Sequence, residues 1–152
     1  MKKISFLVVF LFSLNAFTQE TEENMAKQTV LDFFKAFHAQ DSVKMKKVVS
    51  SKVVLQSIGE NRAGEITVRT EKFKDLIRYI VSIPDTLQFE EKLLSFDVKV
   101  DGSMANVWVP YEFWLNAEFH HCGVNSFQLF KEQSQWRIIY LIDTRRKDEC
   151  KK

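Results

Sequence analysis

The stretch HHCGVNSFQLF at residues 120–130, together with WRIIYLIDT at residues 136–144, decides the fold of this chain. Both runs are rich in β-branched and aromatic residues, and the polar segment KEQSQ at residues 131–135 separates them. This pattern predicts a long antiparallel hairpin. Each run also contains single polar residues where a core strand would have apolar ones. Any chemistry of the protein is therefore expected at those polar positions.

Helical periodicity marks the region that precedes this hairpin. Apolar residues spaced by three and four predict an amphipathic helix over residues 24–39 and a short second helix that begins at Asp41 or Ser42. A third helix is expected between a cap at Thr70 and a stop at Pro84. These three helices account for most of the first half of the domain.

Strands are expected around and after the third helix. Residues 53–58 read as a strand that leads into a loop with two glycines. From residue 87 the apolar period changes to two, which predicts strands over residues 87–100 and 104–116 joined at Asp101-Gly102. Helices followed by an antiparallel meander indicate an α+β domain in which the helices pack on one face of a curved sheet.

The N-terminus has the pattern of a secretory signal peptide. Lys2 and Lys3 precede an apolar run over residues 4–12, and small residues at Ala16 and Thr18 suit signal-peptidase cleavage. We therefore expect residues 1–18 to be a signal peptide and residues 19–152 a single exported domain, periplasmic or secreted. The alternative is a buried first helix, which the charged segment at residues 20–23 disfavours. Mass spectrometry of the exported protein tests the cleavage site.

Charge balance argues against nucleic acid as a partner. Cleavage after residue 18 removes two of the 22 basic residues and none of the 20 acidic ones, so the mature chain has no net formal charge. No later apolar run is long enough to span a bilayer, so no membrane association is expected after cleavage.

The chain has two cysteines, Cys122 and Cys150. In an exported domain an even number of cysteines favours a disulfide, and a bond between these two would stabilise the fold by about 3 to 4 kcal/mol. Two unpaired thiols are the alternative. Because Cys122 alternates with His121 along its strand, its side chain should point away from the face that carries His121.

The order of elements resembles the nuclear transport factor 2-like superfamily, the cone-shaped fold of ketosteroid isomerase, scytalone dehydratase and SnoaL-like proteins. The resemblance covers residues 24–144 and is carried by VLDFFKAF at residues 30–37, NRAG at residues 61–64 and QWRII at residues 135–139. More narrowly, HCGVN at residues 121–125, DTRR at residues 143–146 and Cys150 resemble an uncharacterised exported subgroup of that superfamily. The resemblance implies an internal cavity.

This chain departs from the isomerase pattern. Ser57 stands where those enzymes have a carboxylate base, and Phe33 or Phe34 stands where they have a tyrosine. Asn125 matches their second hydrogen-bond donor. A donor without a base does not make an isomerase, so that activity is set aside.

Strand alternation and the resemblance place three polar residues inside the cone. His121 and Asn125 share one face of their strand, and Asp143 lies on the cone-lining face of the last strand. Since the hairpin turns near residue 133, Asn125 should pair close to residue 142, and all three side chains should converge. A histidine beside an aspartate makes a general base near neutral pH. The alternative is that His121 marks an exposed strand start and Asp143 pairs with Arg145 or Arg137.

Further residues are expected to line the same cavity. The strand over residues 104–116 has one apolar face, which is either core or a homodimer surface, and one mixed face, which is expected to line the pocket with Trp108 or Trp114 in its wall. The full set of predicted lining residues is Phe34, Trp108, Glu112, Trp114, Phe127, Ile139 and Leu141.

No cofactor or metal is predicted. His120, His121 and Cys122 are consecutive, and neighbours on a strand point to opposite faces, so they cannot all ligate one ion. No phosphate loop, nucleophile elbow or zinc spacing occurs. Two functions remain open. The first is binding of an unknown small, mostly apolar molecule, or a scaffold role. The alternative is a lyase- or hydrolase-like enzyme with His121 as base, Asp143 as its orienting partner and Asn125 as donor.

Overall fold

The structure is a computed structural model that describes residues 21–150. Within this range the chain forms three helices, α1 (Glu22–His38), α2 (Ser42–Val48) and α3 (Phe73–Val81). It also forms seven strands: β1 (Val49–Glu60), β2 (Ile66–Glu71), β3 (Phe89–Leu93), β4 (Asp97–Asp101), β5 (Met104–Leu115), β6 (Glu118–Glu132) and β7 (Gln135–Thr144). The predicted α+β class is confirmed.

The predicted signal peptide, residues 1–18, lies outside the described residues, and export stays a prediction. In the part of the chain that the structure describes, no helix has the length and hydropathy needed to cross a membrane.

All seven strands belong to one mixed sheet. Its order is β2-β1-β7-β6-β5-β3, and β4 also pairs with β5. Only β1 and β7 pair in parallel, and the other neighbours are antiparallel. β4 pairs with the first half of β5 and β3 with the second half. The single strand predicted over residues 87–100 is therefore two strands, because the chain bends between residues 93 and 97.

α1 closes the inner face of the sheet. Thr21 caps it by accepting a hydrogen bond from the Asn24 amide at 3.3 Å. Ala26 and Val30 are fully buried against the sheet, as the helical spacing predicted. In the first turn of α1, the Glu22 carboxylate accepts a hydrogen bond from the Trp136 indole at 3.1 Å. This bond ties the start of α1 to the final hairpin.

The region before α3 differs from the expected loop. β1 extends to Glu60, residues 61–65 form a turn, and β2 follows. The Asn61 side chain closes the turn by accepting hydrogen bonds from the amides of Ala63 and Glu65 at 2.8 and 3.0 Å. Thr70 therefore lies in β2 and is not a helix cap. α3 begins after Lys72, which makes no side-chain cap bond.

The prediction that the mixed face of β5 lines the pocket is wrong, because the apolar face is the one that points toward the helices. The apolar face, with Val107, Val109 and Tyr111, is buried beneath the helices. The mixed face points to the outer surface of the sheet, where Trp108 is 48% exposed. The apolar face is thus core and cavity wall and does not form a dimer surface. Formation of a homodimer stays a prediction.

Two β-bulges interrupt the alternation on which the sequence analysis relied. In β6, His120 is an extra residue, since His121 pairs with Phe113 while Phe119 pairs with Trp114. In β7, Ile138 pairs with Leu129 and Tyr140 pairs with Gln128, so Ile139 is an extra residue. Each bulge shifts the face on which the following side chains lie.

Candidate functional site

A cavity of about 350 Å³ lies between α1, α3 and the inner face of the sheet. Side chains from both helices and from six of the strands line it. One part is apolar and is formed by Phe33, Phe34, Phe37, Leu55, Leu76, Ile80, Phe89, Phe113 and Leu141. The other part is polar and includes Ser57, Glu91, Tyr111, His120, His121, Asn125, Asp143 and Arg145. Such a division suits a ligand with an apolar body and a polar end.

Aromatic rings make most of the apolar wall. Phe37 meets Phe89 edge to face at 5.3 Å between ring centroids, and Phe89 stacks on Phe113 at 6.5 Å. Phe34 meets Phe37 edge to face at 6.1 Å. These contacts hold each ring against its neighbours, so the shape of the wall is fixed by packing between α1, β3 and β5.

A carboxyl group stands at the boundary of the two parts. Glu91 on β3 shares a face with Phe89, and its Oε1 accepts a hydrogen bond from Asn125 Nδ2 at 2.6 Å. The backbone amide of Glu91 donates to His38 Nε2 at 2.9 Å. Both the side chain and the backbone of Glu91 are therefore held in place, from β6 on one side and from α1 on the other.

The surroundings of Glu91 change its acidity. The pKa of Glu91 is raised from 4.5 to about 7, mainly by burial in the cavity wall. The negative charge of Asp143 contributes to this rise, and the hydrogen bond from Asn125 opposes it. Glu91 therefore exchanges a proton near neutral pH. Such a group in a cavity is a candidate functional residue.

The raised pKa predicts that replacing Glu91 stabilises the protein in a pH-dependent way. An acid whose pKa is raised by folding is neutral at low pH, and stability falls as pH rises from the ordinary value through the folded one. The Glu91→Gln variant should therefore be as stable as wild type near pH 4 and more stable by roughly 3 kcal/mol above pH 8. Urea unfolding across this range measures the difference.

Glu90→Gln is the matched control, since Glu90 is the adjacent residue and its side chain is 59% exposed. It should show no comparable gain in stability above pH 8, because its side chain is exposed. A Glu91→Gln stability difference that does not vary with pH would show that Glu91 ionises normally in the folded protein.

Asp143 forms a second polar group with two neighbours. Its Oδ2 accepts a hydrogen bond from Arg145 Nε at 2.8 Å, and the Tyr111 hydroxyl lies 3.4 Å from the same oxygen. The Tyr111 hydroxyl donates to the Thr144 carbonyl at 3.0 Å. Gly123 is required beside this bond, because a Cβ at Gly123 would lie 1.8 Å from the Thr144 oxygen.

The two histidines lie on the same side of the sheet because of the bulge in β6. Their Nδ1 atoms are 2.8 Å apart, so one ring donates to the other. His121 also stacks on Phe113 at 4.9 Å. Burial, together with the positive charge of Arg145, lowers the pKa of His121 to about 4. His121 is therefore neutral at pH 7.

The predicted site residues fall into two groups. His121, Asn125 and Asp143 all line the cavity, together with Phe34 and Leu141, and Asn125 pairs with Asp143 in the sheet. The predicted pairing of His121 with Asp143 is not formed: among residues 21–150, Asp143 is bonded to Arg145 and His121 to His120. Their catalytic roles stay predictions.

The other predicted lining residues lie elsewhere. Trp108, Glu112 and Trp114 are on the outer face of β5, where the Trp114 indole donates to the Glu112 carboxylate at 3.0 Å. Phe127 is completely buried beneath the cavity and packs against α1. Ile139 does not border the cavity because the bulge in β7 displaces it from the face that carries Leu141.

The alternative partner predicted for Asp143, Arg145, is the one observed, at 2.8 Å. Glu91, Tyr111 and His120 line the cavity and were not predicted to do so. A signal for Glu91 was present, because it alternates with Phe89 and Leu93 and so lies on the face of β3 that turns inward. His120 had no such signal, since alternation alone places it outside.

The predicted disulfide is present between Cys122 and Cys150. Cys122 does not line the cavity, as alternation with His121 predicted. Within the described residues, no group of three or more histidine, cysteine, aspartate and glutamate side chains has a geometry that could hold a metal ion.

Comparison with known proteins identifies the fold. No protein-family model matches the chain, and no curated protein matches it. Among solved structures, an NTF2-like protein from Cytophaga hutchinsonii matches with a TM-score of 0.66 and 11% identity, covering 84% of this chain and 100% of that one.

Two further structures agree. An NTF2-like protein of unknown function from Pseudomonas putida matches with a TM-score of 0.64 and 11% identity over 84% of this chain and 88% of the other. One from Shewanella baltica matches with a TM-score of 0.56 and 13% identity over 80% and 91%. The chain therefore has the nuclear transport factor 2-like fold, as the sequence predicted. At these identities the likeness shows the fold alone.

Proposed function

We propose that this protein binds a small, mostly apolar molecule inside the cone. The observation that carries the proposal is the cavity itself, about 350 Å³ in volume, with a wall of aromatic rings and a single polar part. This volume is within the range of small-molecule sites, and few precisely held polar groups in an apolar pocket are typical of such sites.

The geometry supports binding better than the alternative enzyme. That hypothesis needs His121 to act as a base oriented by Asp143. The Asp143 carboxylate is instead engaged by Arg145, at 2.8 Å. The lowered pKa of His121, about 4, makes its imidazole a weak base. His121 therefore has neither an aspartate that orients it nor the pKa near neutrality that a general base needs.

Filling the cavity tests the proposal. Leu141 lines the cavity, whereas its neighbour Ile142 does not and pairs with Ser126 on the outer side of β7. We expect Leu141→Trp to weaken binding of phenylbutanol, a neutral probe of suitable size, by about tenfold or more, since the indole occupies the space that the probe needs. Ile142→Trp is the matched control and should bind as wild type does. Isothermal titration calorimetry measures both.

Thermal unfolding of both variants shows whether they are folded. If the two folded variants bind phenylbutanol equally well, the probe does not occupy the cavity and the proposal is wrong. Native mass spectrometry of the freshly purified protein is the second measurement, and a retained molecule that is lost from Leu141→Trp supports the proposal.

A further inference from the structure

The carboxyl group of Glu91 lies among aromatic rings. Glu91 pairs with Phe113 across the β3–β5 ladder, and Phe89 precedes it by two residues on the same face. Phe37 of α1 closes the group by its edge-to-face contact with Phe89 at 5.3 Å. Faces of aromatic rings attract cations, and the attraction is stronger where water is excluded.

One oxygen of this carboxyl group is free to meet a ligand. Asn125 occupies Oε1, and Oε2 accepts no hydrogen bond from residues 21–150. Within the same range no lysine or arginine forms an ion pair with Glu91. The ionised carboxylate is thus oriented by a neutral amide and has no cationic partner.

The other charged residues that line the cavity are two of each sign, Arg69 and Arg145 against Glu71 and Asp143. Arg145 pairs with Asp143 at 2.8 Å. His121 is neutral at pH 7 because its pKa is lowered to about 4. Ionised Glu91 therefore gives the charged lining residues one net negative charge, which the Arg145 charge offsets only in part, and an anionic ligand would be repelled.

Building on the proposed binding function, we propose that the cavity selects molecules with an apolar body and one protonated amine, whose N–H donates to Glu91 Oε2 while the aromatic rings surround the ammonium group. The Asn125 amide holds the carboxylate in position for this contact. The apolar body occupies the space between Phe34 and Leu141.

The proposal predicts a direction for the pH dependence. The pKa of Glu91 is about 7 in the empty cavity, while a simple alkylamine stays protonated to about pH 10. Amine affinity should therefore rise as pH increases from about 5.5 to 8.5, because Glu91 becomes ionised. The other polar groups that contact Glu91 or line the cavity with it are His38, Arg69, Glu71, Tyr111, His120, His121, Asn125, Asp143 and Arg145.

These neighbours do not reverse that direction. Burial lowers the pKa of His38, and a proton that His38 gained at low pH would repel the amine, so its titration acts in the same direction. Burial raises the pKa of Tyr111, which keeps its proton across this range. Asp143 and Arg145 pair with each other at 2.8 Å. Protons released on amine binding below pH 7 should come from Glu91, and they make the binding enthalpy depend on the ionisation enthalpy of the buffer.

The experiment compares phenylbutylamine with phenylbutanol, which has the same carbon skeleton and no charge. Calorimetry at about pH 8.5 should give the amine at least tenfold tighter binding, and this preference should disappear near pH 5.5. Glu91→Gln should bind the amine no more tightly than phenylbutanol at any pH. Glu90→Gln, the exposed neighbour, should keep the wild-type preference.

The outcomes separate the two proposals. If phenylbutanol binds and the amine shows no advantage at either pH, the amine inference is wrong and the binding function stands. An amine advantage that persists in Glu91→Gln also overturns the inference, because a group other than Glu91 then recognises the ammonium ion. If neither probe binds the folded wild-type protein, the binding function fails and the amine inference fails with it.

Discussion

Replacing Phe127 by alanine should lower the free energy of unfolding by about 3 to 5 kcal/mol. The Phe127 side chain is completely buried, and its ring meets Phe33 and Phe34 edge to face at 6.0 and 5.8 Å between centroids. Truncation removes these contacts and leaves a void between α1 and β6. Chemical denaturation at a fixed pH measures the loss.

Phe130→Ala is the matched control, since Phe130 lies on the same strand and is 44% exposed. Its cost should stay below about 1 kcal/mol. Equal losses for the two variants would show that Phe127 does not carry the packing of α1 against the sheet. The Phe127→Ala void lies beneath the cavity, so the variant should also accept bulkier probes than phenylbutanol.

Breaking the Cys122–Cys150 disulfide should lower the free energy of unfolding by about 3 kcal/mol. The two cysteines are 28 residues apart, and closing a loop of this length restricts the unfolded chain. Cys150→Ala is the variant of choice, because Cys122 is only 4% exposed and its replacement would also disturb packing. Unfolding with and without reductant measures the effect.

The same reductant is the control for this prediction. It should destabilise wild type to the level of Cys150→Ala and leave Cys150→Ala itself unchanged. Peptide mapping without reduction should recover the two cysteine peptides linked. Free alkylation of both thiols in the unreduced protein would contradict the disulfide.

Local patterns in the sequence predicted most of the fold. The spacing of Val30, Phe33 and Phe34 is enough to place α1, because burial of one helix face needs nothing beyond the helix itself. The long hairpin was predicted with Asn125 opposite residue 142, and the observed partner is Asp143. The one-residue difference arises at a bulge, which depends on how neighbouring strands pair and which hydrophobic patterning does not reveal.

The candidate site was harder to predict than the fold. Alternation placed Asn125 on the correct face, since β6 has no irregularity between His121 and Asn125. It did not connect Asn125 with Glu91, because the two residues are 34 positions apart and belong to strands that β5 separates. A hydrogen bond between such residues follows from the curvature of the whole sheet. The acidity of Glu91 depends on the same curvature.

The bulges in β6 and β7 also have a consequence for how such a cavity changes during evolution. Each bulge is a place where one strand has a residue more than its partner. Deleting His120, or inserting a residue beside it, would move the side chains at the start of β6 to the opposite face of the sheet. The pairing of Asn125 with Asp143 would stay as it is. A single codon gained or lost there would exchange the side chains at the rim of the cavity and leave its floor intact.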